Sequence, residues 1–114
     1  MANHAENYFQ INLNELATEI QIAELAEFMN PYNMPRVCDL DIDIIDSENK
    51  LISGSIVSAW CEPIDAFRML VIRFPFIDSI RNQCKEEGCD YYSILKFDRI
   101  SDKNVDEWFE IASL

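Results

Sequence analysis

The stretch Val37–Cys61 constrains the fold more than any other part of the chain, because its hydrophobic period, its turn chemistry and its charge agree. In Cys38-Asp39-Leu40-Asp41-Ile42-Asp43-Ile44, apolar and acidic residues alternate. A period of two places Cys38, Leu40, Ile42 and Ile44 on one face of a strand and Asp39, Asp41 and Asp43 on the other. The run ends in Asp46-Ser47-Glu48-Asn49-Lys50, a polar cluster in which Asn49 tolerates the left-handed backbone of a three-residue hairpin loop. A second strand, Leu51 to Cys61, then returns. With Ser47-Glu48-Asn49 as the loop, Asp46 faces Lys50, Ile44 faces Ile52, Ile42 faces Gly54 and Leu40 faces Ile56. Asp43 and Asp41 then meet Ser53 and Ser55. A slip of one residue would mix the buried and solvated faces, which selects this register over its neighbours.

On either side of the hairpin the periods change. Tyr8–Leu13 alternates and reads as a short strand. Asn12 or Asn14 caps a helix running to about Met29, with Asn12 and Glu15 as a capping box; the alternation Ile20-Gln21-Ile22 offers a break near Thr18 instead. Asn30–Pro35 is a loop. After a turn at Glu62-Pro63-Ile64-Asp65, the nearly apolar Phe67–Phe74 reads as a central strand, with a helix starting at Pro63 as the alternative. Pro75 opens a helix whose buried stripe is Phe76, Ile77, Ile80 and Cys84 and whose left-handed cap is Gly88. Tyr91–Ile100 is a strand, and Val105, Trp108, Phe109 and Ala112 form a last amphipathic helix behind a capping box at Asn104–Glu107. The expectation is one α+β domain over residues 1–114: a mostly antiparallel sheet of about five strands with three helices, in the order β-α-β-β-β-α-β-α.

Composition closes off most chemistries. A chain of 114 residues that is 49% hydrophobic with two Gly has the material for one core and is not a disordered or low-complexity sequence. No apolar run approaches the ~18 residues of a membrane span, and the start lacks a basic-then-apolar leader, so a cytosolic chain with no membrane contact is expected. Cys38, Cys61, Cys84 and Cys89 form no Cys-x-x-Cys pair and read as reduced thiols rather than zinc ligands. His4 is the only histidine, which removes any Ser-His or Cys-His pair and any His-rich metal site. Two glycines build no phosphate loop. A calcium loop counted from Asp39 would need Gly at Ile44 and Glu at Lys50. The expectation is therefore no enzyme, no cofactor and no metal.

Charge is what stands out. The formal net charge is −12; residues 1–49 hold ten Asp or Glu against one base, Arg36, for −9, whereas residues 50–114 hold eleven acids against eight bases, for −3. Aspartate is depleted in strands, and like charges on one face repel, so the Asp39, Asp41, Asp43 ladder breaks a local preference. Glu24 and Glu27 break another at the negative end of their helix. Rule-breaking of this kind concentrates at functional sites. Such a chain repels nucleic acid and attracts a basic protein. The function expected first is a protein-binding inhibitor, in the manner of an immunity protein or antitoxin, that plugs the positive groove of a nucleic-acid-directed toxin. A phage-type nucleic-acid mimic (anti-CRISPR or anti-restriction), or an acidic subunit or chaperone of a larger assembly, is the alternative. The expected partner contacts are Glu24, Glu27, Tyr32, Asp39, Asp41, Asp43, Asp46 and Glu48, with the acids steering and Tyr32 as anchor.

Overall fold

In the computed structural model, which describes residues 4–86, 88 and 91–113, strand β1 (His4–Leu13) buries every second residue, Ala5, Asn7, Phe9, Ile11 and Leu13. That pattern belongs to a strand in mid-sheet with one face covered. Helix α1 (Glu19–Phe28) leads to the hairpin β2 (Val37–Asp46) and β3 (Leu51–Ala59); helix α2 (Ile64–Arg73) leads to β4 (Ile77–Glu86), β5 (Tyr91–Asp98) and β6 (Phe109–Ser113). The described residues thus form two helices and a six-stranded sheet in the order β2-β3-β1-β4-β5-β6, with every neighbouring pair antiparallel. The β1-α1-β2 and β3-α2-β4 segments interleave as split β-α-β units, the ferredoxin-like arrangement, and β5 and β6 extend it past β4. Both helices join one core: Ile22 and Leu25 of α1 and Phe67, Leu70 and Val71 of α2 cluster with Phe9, Ile11, Ile52, Ile56, Ile80, Leu95 and Phe97. The opposite sheet face is open. Among the described residues no helix is long and apolar enough to cross a membrane.

Four expectations from the sequence are corrected. The first helix starts at Glu19, because Asn14 spends its side chain on the Leu16 N–H in a turn (2.8 Å), while Thr18 and Gln21 exchange the two bonds of a capping box. The strand expected over Phe67–Phe74 is helix α2, whose buried Ala66, Phe67, Leu70 and Val71 follow a helical period, with Ile72 and Arg73 turned outward. The helix expected after Pro75 is strand β4. Its buried positions include Asn82, Cys84 and Glu86, so polar residues on the covered face hide the alternation. Leu13 pairs with Ile77 and Asn12 with Ser79, leaving Asp78 as a bulge residue. The bulge gives Ile77 and Ile80 a helix-like spacing of three. For the same reason Gly88 caps no helix, and no described glycine has a positive φ. The final helix shrinks to the 3-10 turn Val105–Trp108, and the chain returns as β6 on β5.

The hairpin holds its expected register at Leu40–Ile56, Asp41–Ser55 and Ile42–Gly54, and then departs from it. Asp43 lies in a bulge, so Ile44 meets Ser53, Ile45 meets Ile52 and Asp46 meets Leu51. The turn is consequently four residues long, and Lys50, with φ 58°, takes the left-handed place expected of Asn49. Gly54 is needed beneath β2: a Cβ there would collide with the Asp41 carbonyl oxygen and approach the Ile42 Cα to 2.9 Å. A second bulge falls at Cys38, between Val37 and Asp39. Two bulges and several aspartates on an edge strand discourage edge-to-edge pairing with another sheet.

Candidate docking surface

The eight expected contact residues fall into three groups. Asp39 and Asp41 stand on the open face of β2, opposite Val57 and Ser55, while Asp43 occupies the bulge beside them; the three do not form one continuous ladder. Asp46 and Glu48 are at the hairpin turn. There Asp46 accepts the Glu48 and Asn49 backbone N–H groups (3.1 and 2.9 Å) and the Asn49 side-chain amide (2.8 Å). Those bonds, Asn49's first, hold the Asp46 carboxyl below its ordinary range. Glu24 and Glu27 are exposed on α1, which packs beside β2, and Tyr32 is fully exposed in the loop joining the two. Glu24, Glu27 and Tyr32 therefore belong to the helical layer rather than to the open sheet face.

Of the ten acids in residues 1–49, nine are exposed and Asp46 is half-buried, and none is in an ion pair among the described residues. The ion pairs present belong to the second half: Arg68 with Asp106, Arg81 with Asp98 at 3.0 Å, and Lys103 with Glu107 at 3.6 Å. Lys50 turns to the Ala17 carbonyl at 2.7 Å, which ties the hairpin to the turn before α1. Across the open face the register runs Asp41–Ser55–Tyr8–Gln83–Ile94–Ala112. The face is acidic on β2, uncharged on β3, and carries Arg81, Lys85 and Lys96 on β4 and β5. On β1, between β3 and β4, Glu6 stands opposite Val57 on one side and Lys85 on the other, and Asp98 of β5 pairs with Arg81, so acids reach the basic side of the face as well.

Two residues that the sequence reading passed over mark the corner where β2 begins and β3 ends. Arg36 (φ 65°) and Trp60 (φ 73°) are both left-handed, and the Ala59 N–H donates to the Arg36 carbonyl at 3.0 Å. A left-handed backbone at a bulky L-residue costs on the order of 1–2 kcal/mol. Strain of this kind gathers at binding and catalytic sites. Both side chains are exposed. Sequence offered no signal, since left-handed positions are found by Gly or Asn and neither stands here.

Also missed was a polar cluster inside the covered face. Glu62, 6% exposed, accepts from the Ser93 hydroxyl at 2.6 Å and from the Tyr91 hydroxyl at 2.8 and 3.1 Å. Beside it Asn7 donates to Ser58 and accepts from Asn82. Burial, reinforced by Glu62, pushes the Cys84 thiol up to about 12, and burial likewise raises Cys61 and Tyr91. A thiol so protonated is a poor nucleophile. Hydrogen bonds join the groups of this cluster except at the buried Asn82 Oδ1, which has no partner among the described residues. No three His, Cys, Asp or Glu side chains converge as metal ligands among the described residues. Comparison with protein-family models, with curated proteins and with solved structures found no match to this chain.

Proposed function

We propose that this chain is a small acidic protein-binding inhibitor, of the immunity-protein or antitoxin kind, which docks its β2 and α1 side onto a basic, nucleic-acid-directed toxin. One observation carries the reading: nine of the ten acids of residues 1–49 are exposed and none of the ten has an ion-pair partner among the described residues, while the three ion pairs present all lie in the second half of the chain. Unpaired charge of one sign repels itself and gives the fold nothing, but it matches a groove built to hold phosphates. Complementary potentials accelerate encounter toward ~10⁸ M⁻¹s⁻¹ or above at low salt. Tyr32, Arg36 and Trp60 supply residue types that dominate binding energy once desolvated. Mimicry of a nucleic acid is less favoured, because Asp43 lies in the bulge. Asp39 and Asp41 are then rungs ~6.6 Å apart, against ~3.4 Å between phosphates of one DNA strand.

The test is stopped-flow association with a basic nuclease toxin from the same operon. The on-rate should fall by at least about tenfold between low and high salt. Joint replacement of Asp39, Asp41, Glu24 and Glu27 by the amides should flatten that dependence. An on-rate unmoved by salt rejects the reading.

A further inference from the structure

The two edges of the sheet are built differently. At β2 the edge is broken by bulges and lined with aspartates, whereas β6 pairs with β5 residue for residue over Phe109–Ser113 with no shift of register. Among the described residues nothing pairs with the other side of β6. Glu110 is its only charged residue and it holds no Pro or Lys, so shortness is the one device left to keep another strand away. The strand is also held in place. Arg68 of α2 ties down Asp106 in the turn before it, the Trp108 Nε1–H donates to the Ile100 carbonyl at 2.7 Å, and the Phe109 ring packs on Phe97 with centroids 5.0 Å apart.

The core runs out at this edge. On the covered face Leu95 leads to Ile111 and Phe97 to Phe109. Leu95 and Phe97 are fully buried, yet Ile111 is 39% exposed and Phe109 half-buried, so two apolar rows end in solvent. Charge bears on what can meet them. Residues 91–113 hold Lys96, Arg99 and Lys103 against Asp98, Asp102, Asp106, Glu107 and Glu110, for −2, whereas α1, β2 and the hairpin turn at the other edge hold eight acids and no base before Lys50. Two copies meeting through β6 therefore keep their most acidic parts farthest apart.

The strand complements itself in one antiparallel register. With a two-fold axis at Ile111, each Ile111 faces the other, Phe109 faces the partner's Ser113 and Glu110 faces the partner's Ala112. The row Leu95–Ile111 then continues into the second copy, and no like charges stand directly opposite. Moving the axis to Glu110 would set two carboxylates face to face, which is destabilising. We infer that β6 is a dimerisation edge, where a second copy of this chain adds its own β6 antiparallel and joins the two six-stranded sheets. The acidic β2 edges stand free at the outer ends.

Sedimentation equilibrium and amide exchange of the full chain test this. A strand this short makes a small interface, so half-dimerisation is expected at roughly 10–100 µM chain. Across that range exchange in Glu110–Ser113 should slow with concentration, while exchange along Val37–Asp46 stays constant. I111K, altered at a partly exposed position, places two ammonium groups on the axis and should weaken the dimer at least about tenfold. I111V should stay within about threefold of the unaltered chain. Salt screens the repulsion between two chains of net charge −12 and should tighten the dimer, opposite to its effect on a basic partner. A chain still monomeric at about 1 mM overturns the inference, as does a dimer that slows exchange in β2 or α1 instead of β6. A dimer that I111K leaves intact or that salt loosens overturns it too. The exchange measurement uses the unaltered chain, so it decides even if I111K fails to fold.

Discussion

On the β2 side of the sheet, Asp39 and Asp41 stand in solvent with no ion pair among the described residues, whereas on the β4–β5 side Glu62 is closed in by two hydroxyls and Asp98 is held by Arg81. The same functional group thus lives under two regimes within one small sheet. Where a carboxylate is buried and bonded, removing it leaves donors without partners, and the fold depends on it. Where it is solvated and unpaired, the fold is indifferent to it or loses a little by self-repulsion. The contrast separates carboxylates kept for architecture from those left over for a partner, and it can be broken by experiment.

The largest effect belongs to Glu62. Replacing it with Ala strands the buried Ser93 hydroxyl and frees the half-buried Tyr91 hydroxyl, at roughly 1–3 kcal/mol for a buried unsatisfied group and less for a half-buried one. Urea unfolding should therefore show a loss of about 2–4 kcal/mol. A loss under 1 kcal/mol would place Glu62 in the same regime as the β2 aspartates and dissolve the comparison.

Next is Gly54, which asks whether β2 is a separable edge. Gly54→Ala drives a methyl into the Asp41 carbonyl, backbone against backbone, so β2 must shift. A cost of about 1–3 kcal/mol is expected. Amide exchange should rise along Val37–Asp46 while β4 and β5 keep their protection. Uniform loss across the sheet would mean that the acidic strand is integral to the core. Smaller still is the double amide replacement of Asp39 and Asp41. It should change stability by no more than about 0.5 kcal/mol, with relief of repulsion favouring a gain. A loss beyond 1 kcal/mol by the same unfolding measurement would show that these charges serve the fold.

How far the sequence reveals this arrangement follows the same division. The hairpin was legible because Cys38–Ile44 alternates without interruption, and it failed at the two bulges, at Cys38 and at Asp43, which leave Cys38 and Ile44 exposed instead of on the buried face and which the turn chemistry does not announce. The second helix and the fourth strand exchanged places in the reading. Phe67–Phe74 is apolar enough for either period, and β4 disguises itself with Asn82 and Glu86 at covered positions and a bulge at Asp78. The acidic half was legible as charge, since solvated residues keep their character in any fold. Glu62 was not, because its partners Tyr91 and Ser93 lie 29 and 31 residues away, and a buried carboxylate looks like any other in the chain. Trp60 and Arg36 take a conformation that their residue types argue against, so only coordinates reveal them.

Asp46 sits between the two regimes and sharpens the comparison with the smallest effect. It belongs to the acidic half, yet three hydrogen bonds from Glu48 and Asn49 commit it to the turn, and these lower its folded-state pKa. A depressed carboxylate pKa adds stability that is present above the unfolded value, near 3.8, and is lost as pH falls through the folded one. An NMR titration of its side-chain carboxyl should accordingly place it below that value, and Asn49→Ala should raise it part of the way by removing the side-chain amide bond, while the backbone N–H of residue 49, the largest cause, still donates. Asp46→Asn separates architecture from charge, since an amide oxygen still accepts the turn's N–H groups while the negative charge is gone. Stability near neutral pH should then stay within about 0.5 kcal/mol, and the on-rate for a basic partner should drop by the share one charge contributes. If the on-rate is unchanged while the β2 aspartate replacements slow it, Asp46 belongs with Glu62 as an acid of the fold, and the docking surface stops short of the hairpin turn.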